Sequence, residues 1–437
     1  MIYLYGLLFL MAVLMLGRVF ARDFRLGVLC GLTVLVFVPL VIPIHLLPIN
    51  GVVVSLQLGF VFLAFLALQI RDRGTVDPQL NQQRFAGWVI LGLLFGFALL
   101  LFTFCFISPD AELGFAKTGL FVLRVLIPLL GFIWLLPITK QELRVMFNSI
   151  LMGSVLVAVG LFAFGDIAAE RVGADASPIT MGRAIGLGAV LCITMFLTNL
   201  RTNSWVVWGY LALGLVLLFT ILFTGSRGPL LAVGVALLAI LLLAQSGAKS
   251  KLFSFLRLAL LGAAIFAAQS FTPVDSLQFR SVNRVFSYLE TLGTNSSDLA
   301  RIRFVEVALN EIQRGNLIGV GTGGFTYLMG SLDYQYPHNV LLEVLVEQGL
   351  LGLLALLVLF VPTLSRLLSL AIRARGEPYT VYVVGLFVYS LTNALASGDI
   401  GRNQLLWLAM ALVWLVHAGL KQAERDPNPK PSKLELA

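Results

Sequence analysis

His338 is the residue of this chain best suited to move a proton. It stands in the run Tyr336-Pro337-His338-Asn339-Val340-Leu341-Leu342-Glu343, where Pro337 closes a polar stretch and an apolar helix is predicted to begin. A helix start carries free N–H groups and positive dipole, which suit an anion. The same field tends to keep an imidazole neutral and able to accept a proton, and a near-neutral pKa makes His the usual general base. Glu343 and Glu347 lie four apart and share a face of that helix. With His338 they suggest a metal site, but no second His or Asp lies at a close ligand spacing. No acyl-transfer motif appears, and no Cys lies near His338. His45 and His417 stand at the ends of apolar runs and read as packing residues.

The second candidate group is cationic. Lys117, Arg124, Arg183, Arg227 and Arg402 sit in or beside apolar segments, where each charge costs at least about 2.5–3.5 kcal/mol. Arg124 lies roughly 14 Å into a 30 Å hydrocarbon core, with Lys117 seven residues earlier on the same helix face. Either these side chains snorkel or pair with acids such as Asp110, Glu112, Glu343, Glu347 or Asp399, or they line a cavity for an anionic group. Arg gives bidentate recognition of phosphate, and a lipid diphosphate at a membrane surface fits such a cavity.

The elements that must position these residues follow from composition. Of 437 residues, 59% are hydrophobic and 12% charged, with a mean hydropathy of +0.95. A soluble domain is about 45–50% apolar and 25% charged, so a water-soluble globule, a disordered chain and a nucleic-acid-binding domain are excluded. Cys30, Cys105 and Cys192 all fall inside apolar runs and form no disulfide framework. Thirteen apolar runs are legible: 3–17, 26–47, 52–70, 85–107, 115–136, 145–164, 179–200, 205–223, 229–244, 252–270, 340–363, 379–396 and 403–420. The first and the 229–244 run are short, so the expectation is an all-α polytopic bundle of 12–13 transmembrane helices. The first run has its basic residues after it and no cleavage site, and reads as a retained span.

The net charge of +8 divides by side of the membrane. One set of alternate loops holds Arg18, Arg22, Arg25, Arg71, Arg73, Arg84, Lys140, Arg144, Arg201, Lys249, Lys251, Arg366, Arg373 and Arg375. The tail adds Lys421, Arg425, Lys430 and Lys433. Lys and Arg concentrate on the cytoplasmic side, so that set is predicted to be cytoplasmic and the candidate residues to lie at the other face.

The chain divides into helices over 1–270, a long non-cytoplasmic loop over 271–337, helices over 338–420 and a polar tail over 421–437. The loop breaks the pattern of short connections, and a loop of that length is usually functional. Leu299, Ile302, Val305, Leu309 and Ile312 give Asp298–Arg314 the spacing of an amphipathic helix. Ser281–Leu292 is a second, shorter candidate. Gly319, Gly321, Gly323 and Gly324 then read as a flexible turn.

These stretches together resemble the O-antigen ligase and polymerase superfamily of bacterial envelope glycosyltransferases. The resemblance rests on Thr224-Gly225-Ser226-Arg227-Gly228-Pro229, on Arg301 with Gly319-Val320-Gly321-Thr322-Gly323-Gly324-Phe325, and on Pro337-His338-Asn339 with Glu343 and Glu347-Gln348-Gly349-Leu350-Leu351-Gly352. It covers residues 220–352. Ser397-Gly398-Asp399 with Arg402 is similar to a polar turn of some members. Asn316 departs from the Pro that many members carry before the glycines.

The resemblance implies a helical membrane glycosyltransferase of the GT-C type in the bacterial inner membrane, with its active site facing the periplasm. Its donor would be an undecaprenyl-diphosphate-linked glycan, with no metal and no other cofactor. The acceptor would be the lipid A–core oligosaccharide for a ligase, or a second lipid-linked repeat unit for a polymerase. By position it makes His338, Arg227 and Arg301 the catalytic residues. Lys117, Arg124, Arg183, Asn339, Glu343, Asp399 and Arg402 are then candidates for holding diphosphate or glycan. Membrane lipids are the other expected partners, and nucleic acid is not one. A basic outer face tips the reading toward the ligase. A flippase or transporter for an anionic lipid-linked substrate is the rival from another class, but it predicts cations through both leaflets.

Overall fold

The computed structural model describes residues 23, 26–31, 78–136, 139–164, 177–199, 204–244, 296–330, 335–373 and 377–425. The runs at 3–17, 52–70 and 252–270, residues 32–47 of the second run, and the candidate helix Ser281–Leu292 lie outside them. Among the described residues the regular structure is helical throughout. The helices are α1 (Pro78–Cys105), α2 (Ala111–Trp134), α3 (Lys140–Phe164), α4 (Pro178–Thr198), α5 (Trp205–Phe223), α6 (Arg227–Ala244), α7 (Ser296–Gln313), α8 (Phe325–Met329), α9 (Val340–Arg373), α10 (Pro378–Ala396) and α11 (Gln404–Arg425). Eight of these, α1 to α5 and α9 to α11, are long and apolar enough to cross a membrane, and α6 is a shorter apolar helix.

Helix α4 is the most buried of the eight. It packs against α3, α5, α6 and α10, and its small residues let those neighbours come close. A side chain at Gly186 would overlap the Tyr389 hydroxyl of α10, and one at Gly188 would meet Ser154 of α3. Small residues at helix interfaces are the usual means of close packing in a membrane, where burial against lipid gives little driving force. Polar groups then join the same backbones: Tyr389 donates to Arg183 O at 2.8 Å and Ser154 to Ala184 O at 2.7 Å.

Two spans are irregular. Helix α2 widens into a π-turn over Val122–Leu126. Pro128 has no N–H for the Arg124 carbonyl and its ring crowds that carbonyl, so a wider turn relieves both. Helix α9 breaks at Gly349, which has φ 60° and ψ −148°. Here the backbone of 317–321 enters. Val320 N–H donates to Val346 O at 3.0 Å, Gly321 N–H to Glu347 O at 2.8 Å, and Leu350 N–H to Leu317 O at 2.8 Å. A Cβ on Gly349 would overlap the Leu317 carbonyl oxygen. The glycine run expected as a flexible turn is therefore a tightly packed insert. A Cβ on Gly321 would stand 2.5 Å from Ser108 Cα, and Thr322 N–H donates to Phe104 O at 3.1 Å.

Helix α7 also corrects an expectation. Leu299, Ile302, Val305 and Leu309 lie on its exposed face. The packed face is Ala300, Phe304, Val307 and Ala308, against Phe325 and Val346. The helix carries two apolar stripes, and the one with small residues makes the closer approach.

Gly349→Ala forces a side chain into a backbone region essentially restricted to glycine, a strain of about 1–3 kcal/mol before the clash with Leu317. Thermal unfolding in detergent should show a clearly lowered Tm, while Gly92→Ala, where a Cβ meets nothing within 4 Å, should leave it nearly unchanged. Equal Tm values for the two variants would refute the break as a structural requirement.

Candidate functional site

The starts of α4, α6, α9 and α11, the end of α10 and the first half of α2 meet at one end of the bundle. His338 precedes α9, and Asn339 caps it, with Oδ1 accepting from Leu341 and Leu342 N–H at 3.0 and 3.1 Å. His338 has φ 57°, the one non-glycine residue with positive φ among the described residues. Such left-handed backbone is uncommon for a residue with a Cβ and gathers at functional sites. Its ring lies nearly parallel to Phe304 of α7, centres 5.9 Å apart at 20°, and 4.6 Å from the Tyr336 ring. Nδ1 lies 3.2 Å from Ser397 Oγ.

Three guanidinium groups, from three elements, act on that imidazole. Burial first, then Arg301 of α7, Arg183 of α4 and Arg402 of the turn before α11, push its pKa down to about 4, with Asp399 opposing them. The ring is therefore neutral at physiological pH, as the helix-start argument anticipates.

The cations divide into two kinds. Lys117, only 4% exposed, sits between Glu347 Oε1 at 2.6 Å and Glu343 Oε1 at 2.8 Å, both carboxylates fully buried. Glu343 uses its other oxygen to accept Ile400 N–H at 3.0 Å. The two glutamates are thus spent on Lys117, and among the described residues no three His, Cys, Asp or Glu side chains converge on a metal position. The charge of Lys117 is met inside the protein, so its geometry is that of a buried structural ion pair. Arg124, on the π-turn two helical turns further on, makes no hydrogen bond or ion pair with a described residue and is half-buried. Asp399 and Arg402 are its electrostatic neighbours.

Arg183 is buried and caps the end of α10. It donates to Asn393 O at 2.9 Å and Ser397 O at 2.7 Å, and to Asn403 Oδ1 at 3.2 Å. A cation at a helix C-terminus meets free carbonyls and negative dipole. Asp399 accepts Arg402 N–H at 2.6 Å and the Arg402 Nε at 3.2 Å. Arg402, 47% exposed, reaches Tyr336, donating to its hydroxyl at 3.3 Å. Arg227 begins α6 after the turn at Gly225, and its neighbour Gly228 faces Ala396 at the end of α10.

The structure therefore brings His338, Arg301, Arg183, Asp399, Arg402 and Arg124 to one region, with Arg227 beside the end of α10 and Lys117 and Glu343 beneath. Sequence reading missed Phe304, Tyr336, Ser397 and Asn403. Tyr336 carried a signal through its adjacency to Pro337 and His338, and Ser397 through its place beside Asp399 in the polar turn.

Residues 212–357 match the family model described as O-antigen ligase. Among curated proteins, none matches the chain.

Breaking a buried ion pair by removing one partner typically costs about 3–5 kcal/mol. Lys117→Met should therefore lower Tm strongly, and adding Glu343→Gln and Glu347→Gln should recover part of the loss. A Lys117→Met protein with wild-type Tm but weakened substrate binding would instead make Lys117 a substrate contact.

Proposed function

We propose that this chain, which through residues 212–357 belongs to the O-antigen ligase superfamily, moves a glycan from undecaprenyl diphosphate to the lipid A–core oligosaccharide. As an O-antigen ligase or polymerase-type membrane enzyme it has lipid-linked substrates and several membrane spans. The donor, the acceptor and the periplasmic face are this proposal's own. The observation that carries it is His338, held in left-handed backbone where Arg301, Arg183 and Arg402 all act on its ring. A neutral base beside an excess of cations suits a reaction that takes a proton from a hydroxyl and releases a diphosphate.

In this reading the acceptor hydroxyl gives its proton to His338. Its oxygen forms a bond to the anomeric carbon opposite the diphosphate. The bond from that carbon to the phosphate oxygen breaks, the electron pair leaves with the diphosphate, and configuration inverts. Arg227 and Arg301, with Arg124, Arg183 and Arg402, stabilise the charge growing on the leaving group. Asn339 fixes the start of α9 and hence the position of His338. Lys117 and Glu343 support the site from below, and Asp399 holds Arg402.

Charge supports this facing. His338 and Arg373 lie at opposite ends of α9. Arg144, at the start of α3, donates to the Tyr379 hydroxyl at the start of α10, the end remote from Ser397. The loop cations that mark the cytoplasm thus stand away from His338.

Purified protein with a lipid-diphosphate-linked glycan tests the reading. Lipid A–core as the productive acceptor supports a ligase, and productive transfer only to a second lipid-linked unit makes the enzyme a polymerase. His338→Ala should abolish transfer and leave membrane insertion intact; wild-type transfer by that variant would sink the assignment.

The pH profile gives an independent measurement. His338 must be neutral to accept the proton, so kcat/KM should hold as pH falls and decline only near its lowered pKa of about 4. A bound diphosphate offsets the guanidinium charges that hold that pKa down. The acid limb of kcat, which reports the bound complex, should therefore lie at higher pH than that of kcat/KM. Coincident limbs would argue against diphosphate binding beside His338.

A further inference from the structure

Ser397 follows α10 and has no assigned part in the reaction, yet its hydroxyl is the polar group that meets the His338 ring, 3.2 Å from Nδ1. We propose that Ser397 is a positioning residue that accepts the Nδ1 proton of His338 and so leaves the lone pair on Nε2 for the acceptor hydroxyl. This rests on His338 as the base.

A neutral imidazole carries one proton, and the partner at one nitrogen sets which nitrogen holds it. Stacking against Phe304 and contact with Tyr336 fix the ring plane, and positive φ at His338 fixes where its Cβ points. Ser397 then lies on the Nδ1 side, which leaves Nε2 on the opposite edge. If the serine donated to Nδ1, the proton would sit on Nε2, and the ring could not take one from an acceptor there.

The surroundings of Ser397 favour acceptance. It stands at the C-terminus of α10, where the last carbonyls have no intrahelical donor. Asn393 O is taken by Ser397 N–H and by Arg183, and among the described residues the hydroxyl itself meets His338 Nδ1. A hydroxyl oxygen has two lone pairs, and one can take Nδ1–H. The negative end of the helix dipole also favours the imidazolium that forms when Nε2 is protonated. Serine itself is well fixed: its N–H donates to Asn393 O at 2.9 Å and its carbonyl accepts from Arg183 at 2.7 Å.

The chain has three histidines, so ¹⁵N spectra of histidine-labelled protein are simple, and the His338 signals are those lost in His338→Ala. The wild type should show His338 protonated on Nδ1. Ser397→Ala should shift that spectrum toward the Nε2–H form and lower kcat roughly 10- to 100-fold, the range for losing a partner that orients an imidazole, with KM within about twofold. Ser397→Thr keeps the hydroxyl and should keep the wild-type tautomer. An Nε2–H tautomer in the wild type overturns the proposal, as does a His338 spectrum unchanged in Ser397→Ala, even if turnover falls. Failure of the underlying reading looks different: His338→Ala would then retain transfer, whereas inactive His338→Ala beside fully active Ser397→Ala refutes only the role of Ser397.

Discussion

One lysine amine between two glutamates sets the geometry of this molecule. Lys117 joins α2 to α9 through Glu343 and Glu347, and Glu343 extends the link to Ile400 in the turn before α11. Taking such groups out of water costs several kcal/mol per ion, repaid by close geometry and hydrogen bonds, although Glu347 Oε2 has no hydrogen-bond partner among the described residues. That demand is positional: the three elements must meet at hydrogen-bond distance or the burial fails. His338 stands five residues before Glu343, and Ser397, Asp399 and Arg402 flank Ile400. The pair therefore fixes how far the start of α9 stands from the end of α10. Arg183 pins the same turn from the other side through the carbonyls of Asn393 and Ser397.

A second constraint is the demand that backbone polar groups be satisfied at membrane depth. Irregular backbone is tolerated there where it is buried in protein. The break at Gly349 meets this by accepting the 317–321 segment, which supplies donors to Val346 and Glu347 and an acceptor for Leu350. One consequence reaches the site: the segment leading from α7 is sewn to α9, so Phe304 comes to lie on His338. The π-turn of α2 does similar service for Arg124. It absorbs the missing donor of Pro128 and places a guanidinium within the electrostatic reach of Asp399 and Arg402.

How much of this was legible depended on the range of the interaction. The helices were, because hydrophobic runs are local, and the nine runs that fall on described residues each form a helix. The anomalous cations were legible as charges in the wrong place. Their fates were not. Lys117 and Arg124 look alike in sequence, yet one is neutralised by acids 226 and 230 residues away and the other is left free of such bonds. Only the fold decides which carboxylates arrive. The glycine run misled for a related reason. Glycine permits both mobility and close packing, and the choice rests on whether another backbone is there to fill the space. Ser397 was visible only as part of a polar turn, since a serine after a helix is ordinary until a histidine 59 residues away meets it.

The charge balance around His338 gives the site an order of events. Among Arg183, Arg301, Arg402 and Arg124 the acting carboxylate is chiefly Asp399, while Glu343, bound to Lys117, also acts on Arg402. The surplus is positive, and it weakens the imidazole as a base. An anion placed among those guanidiniums removes the very charges that depress the histidine. In the proposed reaction the donor's diphosphate is that anion, so its arrival strengthens the base that must act on the acceptor. A lone acceptor would meet a histidine too weak to deprotonate it. The Lys117 contact favours this coupling by holding Glu343 and Glu347 on an amine of their own, which limits how far they neutralise the guanidiniums before a substrate comes.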